Sequence, residues 1–200
     1  MGGVTDEFGA MPKIRIHEDD WGMRCLHPVA AAAEVASDLR ASDAASAANR
    51  APDGIGWTDV HVIAEPEHDY AAAGLTFAQV DAALTPIMPR VRRFVATASA
   101  GFDEAIRDPL GVYEDDAYCY GVDASCFIKL DGDEPLVESI WFQADTEDPA
   151  RLQLLRRAII AVDLLAPSII ADHWLDCTGT VADGEFLERY MRMLAREAED

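Results

Sequence analysis

The chain has 200 residues, half of them hydrophobic, and its 37 acidic residues against 16 basic ones leave a net charge of −21 at pH 7. This length and apolar content fit one domain with a sizeable core. A field of this sign repels the phosphates of nucleic acids and anionic lipids, so we expect no nucleic-acid or membrane partner. A basic protein partner, a cation or solubility alone would explain the charge.

Cysteine usage and the N-terminus indicate the compartment. No C-x-x-C pair occurs among the four cysteines, and residues 1–11 have the character of a flexible lead-in without a secretory apolar region. No apolar run approaches the ~20 residues that span a bilayer. We therefore predict a cytoplasmic protein with reduced thiols, in which a single domain occupies residues 12–200. The four cysteines are Cys25, Cys119, Cys126 and Cys177.

The first half of the chain predicts short strands separated by helices and loops. Alternation of polar and apolar residues predicts strands over Lys13 to His17, Asp59 to Ile63 and Arg92 to Thr97. An alanine-rich segment from Pro28 to about Ala48 predicts a helix on the surface of the domain. A second, shorter helix begins after Thr76, a residue suited to cap it.

The clearest pattern in the chain is a hairpin. Cys126 to Leu130 and Leu136 to Phe142 are rich in aliphatic and aromatic residues, and the Asp131-Gly132 turn between them supplies a residue that can take positive φ. Each strand carries one charged residue, Lys129 and Glu138, which we expect to face solvent. Tyr118 to Tyr120 predicts a short strand leading into this hairpin.

A long amphipathic helix follows the hairpin. Asp148 is a suitable N-cap and Pro149 fits the first helical position, while Pro167 ends the helix. The apolar stripe holds four aliphatic side chains, whose burial is worth roughly 6–12 kcal/mol. They are Leu152, Leu155, Ile159 and Val162.

The last part of the chain predicts one more strand and one more helix. Ser168 to Leu175 predicts the strand, with a continuation of the long helix as the alternative. Asp183 begins the final helix.

Strands and helices are interleaved, but the middle strands follow one another directly, which favours an α+β domain. We expect a mixed but largely antiparallel sheet with helices packed mainly on one face.

Two runs of three acids are the first candidates for a functional site. They are Glu18-Asp19-Asp20 at the end of the first strand and Glu114-Asp115-Asp116 before the hairpin. Several carboxylate oxygens together can hold a hard cation, and crowding raises carboxyl pKa values as a general acid requires. Solvated turns on an acidic surface are the commoner explanation of such runs.

Histidines offer a metal-binding alternative. His17 and His61 lie on predicted strands, and with Glu18 they could form a metal site. No H-x-x-x-H or H-E-x-x-H places two ligands on one element, and no P-loop, G-x-G-x-x-G or G-x-S-x-G occurs. We therefore predict no cofactor, and the sequence does not decide whether the protein is an enzyme.

Tryptophans beside acids favour a binding function. Trp21 and Trp57 lie next to loops and carboxylates, which suits recognition of an arginine- or lysine-rich partner through cation–π contact and ion pairing. Trp141 and Trp174 are expected to be core residues. The predicted binding residues are Asp19, Asp20, Trp21, Trp57, Glu114, Asp115 and Asp116.

The first functional hypothesis is a non-enzymatic acidic protein that contacts a basic protein. In general character the chain is similar to bacterial immunity and other toxin-neutralising proteins, a likeness of composition and fold class that rests on no motif. The preference for arginine over lysine is typical of a GC-rich bacterial genome. The alternatives are a metal-assisted hydrolase that uses clustered Asp, Glu and His, and a structural or regulatory domain that forms a homodimer through its sheet edge.

Overall fold

The computed structural model describes residues 13–59, 62–63, 66–98 and 108–197. The predicted lead-in over residues 1–11 lies outside these ranges. The strands in the described ranges are β1 Lys13–His17, β2 Arg24–Pro28, β3 Arg90–Val91, β4 Arg93–Thr97, β5 Val112–Glu114, β6 Tyr118–Asp123, β7 Cys126–Asp131, β8 Ser139–Ala144, β9 Ser168–Asp172 and β10 Cys177–Thr180. The helices are α1 Ala32–Ala48, α2 Phe77–Leu84, α3 Pro149–Leu165 and α4 Gly184–Glu197.

The strands form two sheets. A seven-stranded antiparallel sheet has the order β10-β9-β2-β8-β7-β6-β3, and a three-stranded sheet has the order β1-β4-β5. The small sheet is mixed, because β1 runs parallel to β4 while β5 is antiparallel to it. The predicted hairpin is β7 and β8, paired from Cys126 opposite Ala144 to Asp131 opposite Ser139. The prediction of an α+β domain with a largely antiparallel sheet is confirmed.

Helices α2, α3 and α4 cover one face of the seven-stranded sheet. Because side chains alternate along a strand, Cys126, Ile128 and Leu130 of β7 face these helices together with Ile170 of β9. The apolar stripe of α3 packs against them and is buried from Leu152 to Val162. Helices lie mainly on one face, as predicted, and no helix in the described ranges is long and apolar enough to cross a membrane.

The opposite face of the large sheet carries α1 and the small sheet. Helix α1 packs through Val35 and Leu39 on Ile169 and Ala171 of β9. The small sheet packs on β7 and β8 through an apolar and aromatic cluster. That cluster includes Ile14, Ile16, Phe94, Phe127 and Trp141.

Local signals determine the helix ends as predicted. Asp148 accepts a hydrogen bond from the N–H of Ala150 at 2.8 Å, and Pro149 occupies the first turn of α3. The side chain of Thr76 accepts from the N–H of Gln79, whose amide oxygen in turn accepts from the N–H of Thr76, a complete capping box for α2.

Three local expectations are wrong. Lys129 faces the small sheet and is fully buried. Val62 and Ile63 belong to no strand, while Val60 and His61 lie outside the described residues. Trp174 is half exposed, because β9 ends at Asp172 and a turn follows where a longer strand was expected. Strand β2, inside the large sheet, was not predicted at all.

Candidate functional site

A buried lysine joins the small sheet to the large one. Lys129 on β7 points toward the small sheet, and its Nζ lies 3.0 Å from Oε1 of Glu114 and also contacts Oδ1 of Asp131. The same Nζ is 4.9 Å from the ring centre of Phe94 and 5.2 Å from that of Trp21. Opposite charges and aromatic faces therefore surround the ammonium group, which is how a buried charge is tolerated.

Trp21 is part of the packing between the two sheets. Its ring stacks on Trp141 with centroids 5.3 Å apart and meets Phe94 edge to face at 5.3 Å. The Nε1 of Trp141 donates to Oδ2 of Asp131 at 2.7 Å. Of the predicted binding residues, Trp21 and Glu114 are thus brought together around Lys129.

Beside Glu114 lies a cleft of about 290 Å³, which we call the acidic cleft. Four of its lining residues are acids, and Phe77, Ala117 and Leu130 supply its apolar part. Tyr118 also lines it: burial raises the pKa of this phenol, and the neighbouring Glu134 raises the pKa further. The four acids are Glu114, Asp116, Asp131 and Glu134.

The second acid run is paired with arginines of its own chain. Asp115 lies 3.3 Å from Nε of Arg93, and Asp116 lies 3.2 Å from Nη1 of Arg92. Arg90 approaches Asp116 to 3.5 Å as well. Both aspartates remain largely exposed, and so is Arg92, whose pair with Asp116 is of the exposed kind that adds little to stability, typically below about 1 kcal/mol.

The first acid run lies at the other end of the small sheet. Strand register places His17 opposite Thr97, whereas Glu114 lies opposite Phe94. A separation of three residues along β4 corresponds to about 10 Å. The two acid runs therefore do not converge on one pocket.

Both ring nitrogens of His17 are engaged locally. Nε2 is 2.7 Å from the carbonyl oxygen of Ala98, and Nδ1 accepts from the N–H of Asp19 at 3.2 Å. Nδ1 also lies 3.4 Å from Oδ2 of Asp19. Glu18 and Asp19 are exposed, and no group of three or more potential metal ligands is assembled in the described part of the chain. His61 lies outside it.

Trp57 occupies a separate position at the end of α1. Its Nε1 donates to Oγ of Ser46 at 2.9 Å, and the guanidinium of Arg50 lies 6.0 Å from its ring centre. The ring is exposed. Trp57 therefore belongs to the α1 side of the molecule and not to the surface around Glu114.

A second, larger cleft of about 390 Å³ opens beside β1, and we call it the polar cleft. Its lining includes positively charged, negatively charged and neutral polar side chains. Of the site residues predicted from the sequence, the lining contains His17 and Asp20. Its lining residues are Arg15, Ile16, His17, Asp20, Ala124, Ser125, Gln143 and Asp145.

A buried network supports one wall of the polar cleft. Arg24 donates from Nη1 to Asp145 and from Nε to Asp172, both at 3.1 Å. Asp172 also accepts from the hydroxyl of Tyr190 at 2.8 Å and from two backbone N–H groups. The only sequence signal for this network is a pair of charged residues inside segments that are otherwise apolar.

The residues missed in the acidic cleft are Asp131 and Glu134, which in the sequence indicate no more than a turn.

Comparisons of the chain with protein-family models, with curated proteins and with solved structures found no match.

Proposed function

We propose that the protein is a non-enzymatic binding protein whose acidic cleft receives lysine or arginine side chains of a basic protein. The observation that carries this proposal is the gathering of four carboxylates around one cleft of about 290 Å³ on a chain of net charge −21. Hydrogen bonds between a cation and carboxylates are roughly twice as strong as neutral ones. Phe77 and Tyr118 line the same cleft and would contact the methylene stem of the incoming side chain.

The arginines already present do not block such an exchange. Arg92 pairs with Asp116 at the rim, where both side chains are largely exposed and an ion pair contributes little net free energy. A partner's cation can replace Arg92 at small cost. Asp19 and Asp20, at the other end of the small sheet, add to the negative field that speeds encounter with a basic protein at low salt.

The test is titration with a short arginine-rich peptide, followed by fluorescence anisotropy. We expect binding that weakens with salt, because exposed charges are screened over about 10 Å at 0.1 M ionic strength. The double variant Asp116→Asn with Glu134→Gln should bind about tenfold more weakly, a loss of about 1.4 kcal/mol.

A matched control separates binding in the acidic cleft from a general effect of net charge. Glu67→Gln with Glu147→Gln removes the same two charges at exposed positions outside the acidic cleft. Equal weakening by both double variants would mean that only net charge is sensed, and the proposal would fail. So would a pulldown at low salt that recovers no basic protein.

The metal-assisted hydrolase draws no support from the positions of its candidate residues. It requires His17 and the second acid run in one pocket, whereas strand register places them at opposite ends of the small sheet. No specific observation favours it over the binding protein.

A further inference from the structure

The edge strand β10 differs from the other strands at the edges of the two sheets. The edges of the large sheet are β3 and β10, and those of the small sheet are β1 and β5. A charged side chain occurs on β3, β1 and β5, for example Arg90, Lys13 and Glu114, whereas β10 consists of two threonines, a cysteine and a glycine. Charged residues are a common means of preventing the addition of a strand. Of these four edges, β10 is therefore the most open to another strand.

Backbone hydrogen bonds show which groups of β10 point away from the sheet. The N–H of Val181 donates to the carbonyl of Ser168 at 3.0 Å, where the pairing of β10 with β9 continues. Because bonded and non-bonded pairs alternate along an antiparallel ladder, Thr178 and Thr180 turn their N–H and C=O groups away from β9. The carbonyl of Thr180 accordingly accepts from the N–H of Asp183 at 3.1 Å. In the described part of the chain, both groups of Thr178 and the N–H of Thr180 have no backbone partner.

The α1 side of the β10 edge is acidic. Thr178 lies opposite Ala171, which packs under α1, so the side chains of Thr178 and Thr180 lie on that side of the sheet. Asp176 precedes the strand and is hydrogen-bonded to Asp43 of α1, and both residues are exposed. An added strand would place every second side chain near these two carboxylates, and opposite charges on neighbouring strands attract.

The α4 side of the same edge is apolar. Phe186 of α4 lies against Gly179, with ring atoms 2.5–2.7 Å from the position that a Cβ would take. Cys177 packs against the same apolar cluster. The remaining side chains of an added strand would extend this cluster, which favours apolar residues at those positions.

We propose that the β10 edge binds an extended segment of a partner protein in which basic and apolar residues alternate. The segment runs antiparallel to β10, with its basic side chains on the α1 side and its apolar side chains on the α4 side. A basic residue opposite Thr178 exchanges two backbone hydrogen bonds with it, the arrangement by which peptides add to open sheet edges.

This inference does not rest on the binding of a cation in the acidic cleft. Leu130 and Asp131 of β7 line that cleft, and β7 is four strands away from β10. At the usual strand spacing this is about 19 Å. Variants at one place therefore leave the other intact, and the failure of one proposal can be told from the failure of the other.

The experiment is fluorescence anisotropy of the full chain with a short labelled peptide of alternating lysine and valine, blocked at both ends. Two further forms of the peptide are N-methylated, one at its lysines and one at its valines. Residues opposite each other in an antiparallel pair share a face, so the lysine N–H groups point at β10 and the valine N–H groups point away. We expect methylation of the lysines to weaken binding about tenfold or more, and methylation of the valines to weaken it less than about twofold.

Two variants assign the site. Thr180→Pro removes an outward N–H, which proline can do on an edge strand, and should weaken binding of the unmethylated peptide about tenfold. Asp116→Asn with Glu134→Gln, in the acidic cleft, should leave the difference between the two methylated peptides unchanged. Its loss in this double variant would place the peptide in the acidic cleft and overturn the proposal. Equal affinities of the two methylated peptides for the unchanged protein would also overturn it, and that comparison needs no variant to fold.

Discussion

The two faces of the seven-stranded sheet bury charge in different ways. On the face covered by α2, α3 and α4, Arg24 and Asp172 are 1% and 0% exposed, and Tyr190 completes their hydrogen bonds. On the face covered by the small sheet, Lys129 is fully buried, but its partners Glu114 and Asp131 are 32% and 28% exposed. Both charged groups of the first pair are removed from water, whereas in the second pair only the cation is.

This difference decides how much the free energy of unfolding falls when one partner of each pair is removed. A charge left buried without a partner cannot be rescued by water, whereas a carboxylate at a cleft can be hydrated again. The helix-covered face should therefore respond to single substitutions as a rigid core. The opposite face should behave as a surface that can change partners, which is the property that the proposed binding of cations needs.

The largest expected effect comes from breaking the fully buried pair. Asp172→Ala removes the buried partner of Arg24, which keeps only the exposed Asp145, and leaves the Tyr190 hydroxyl without its acceptor. It should lower the free energy of unfolding by about 3–5 kcal/mol. Urea unfolding measures this. Tyr190→Phe is the control, because it removes one donor to the same carboxylate and should cost only about 1 kcal/mol. A loss of under about 1 kcal/mol for Asp172→Ala would mean that Asp145 and water together satisfy Arg24 and that the contrast between the faces is unfounded.

A smaller effect is expected on the opposite face. Lys129→Met keeps the volume of the side chain and removes the cation, leaving Glu114 and Asp131 to be hydrated at the acidic cleft. We expect a loss of about 1.5–3 kcal/mol, the value of hydrogen bonds to a charged group. The measurement is again urea unfolding, with Asp133→Asn in the exposed part of the next turn as a control that should change nothing. A loss as large as that of Asp172→Ala would contradict the comparison.

The elements that could be predicted from the sequence are those with strong local signals. The hairpin of β7 and β8 follows from two apolar runs and the Asp131-Gly132 turn, where Gly132 does adopt positive φ. Helix α3 follows from its cap, its first-turn proline and its stripe. These signals act within a few residues, so no knowledge of the rest of the chain is needed.

The elements that were missed depend on partners far along the chain. Strand β2 contains a single large aliphatic residue, and its buried Arg24 finds Asp172 148 positions later. Lys129 was expected to face solvent because it is the one charged residue in an apolar strand. Glu114, which neutralises it, lies on another sheet and leaves no local signal. The separation of the two acid runs follows from the parallel pairing of β1 with β4, a non-local register that no local pattern encodes.

His27 reports whether the α1 side of the sheet also excludes water. Burial lowers the pKa of His27 from its ordinary 6.5 to about 4, and His173 lowers it further while Asp38 opposes the shift. Between these pH values the unfolded chain binds a proton that the folded protein does not. The free energy of unfolding should therefore fall as pH drops from 6.5 to about 4, by up to about 3 kcal/mol.

The control for this prediction is the same pH series on His27→Gln, since the difference between the two proteins removes the contribution of all other acids and bases. The free energy of unfolding of the unchanged protein, minus that of His27→Gln, should fall steadily as the pH is lowered. A constant difference across the series would mean that His27 titrates normally and that the α1 side is open to water.

The smallest expected effect is a gain in stability at the turn after β9. Burial raises the pKa of Asp176, and a hydrogen bond with Asp43 of α1 raises it further. Because the pKa of Asp176 is raised in the folded state, its contribution to stability is complete at low pH. This contribution is lost as the pH rises through the folded-state pKa, where the two carboxylates begin to repel each other. Asp43→Asn removes this repulsion and should raise the free energy of unfolding at neutral pH by less than about 1 kcal/mol. Asp176→Asn should do the same, and the double variant should gain no more than either alone; two gains that add would show that the carboxylates act independently.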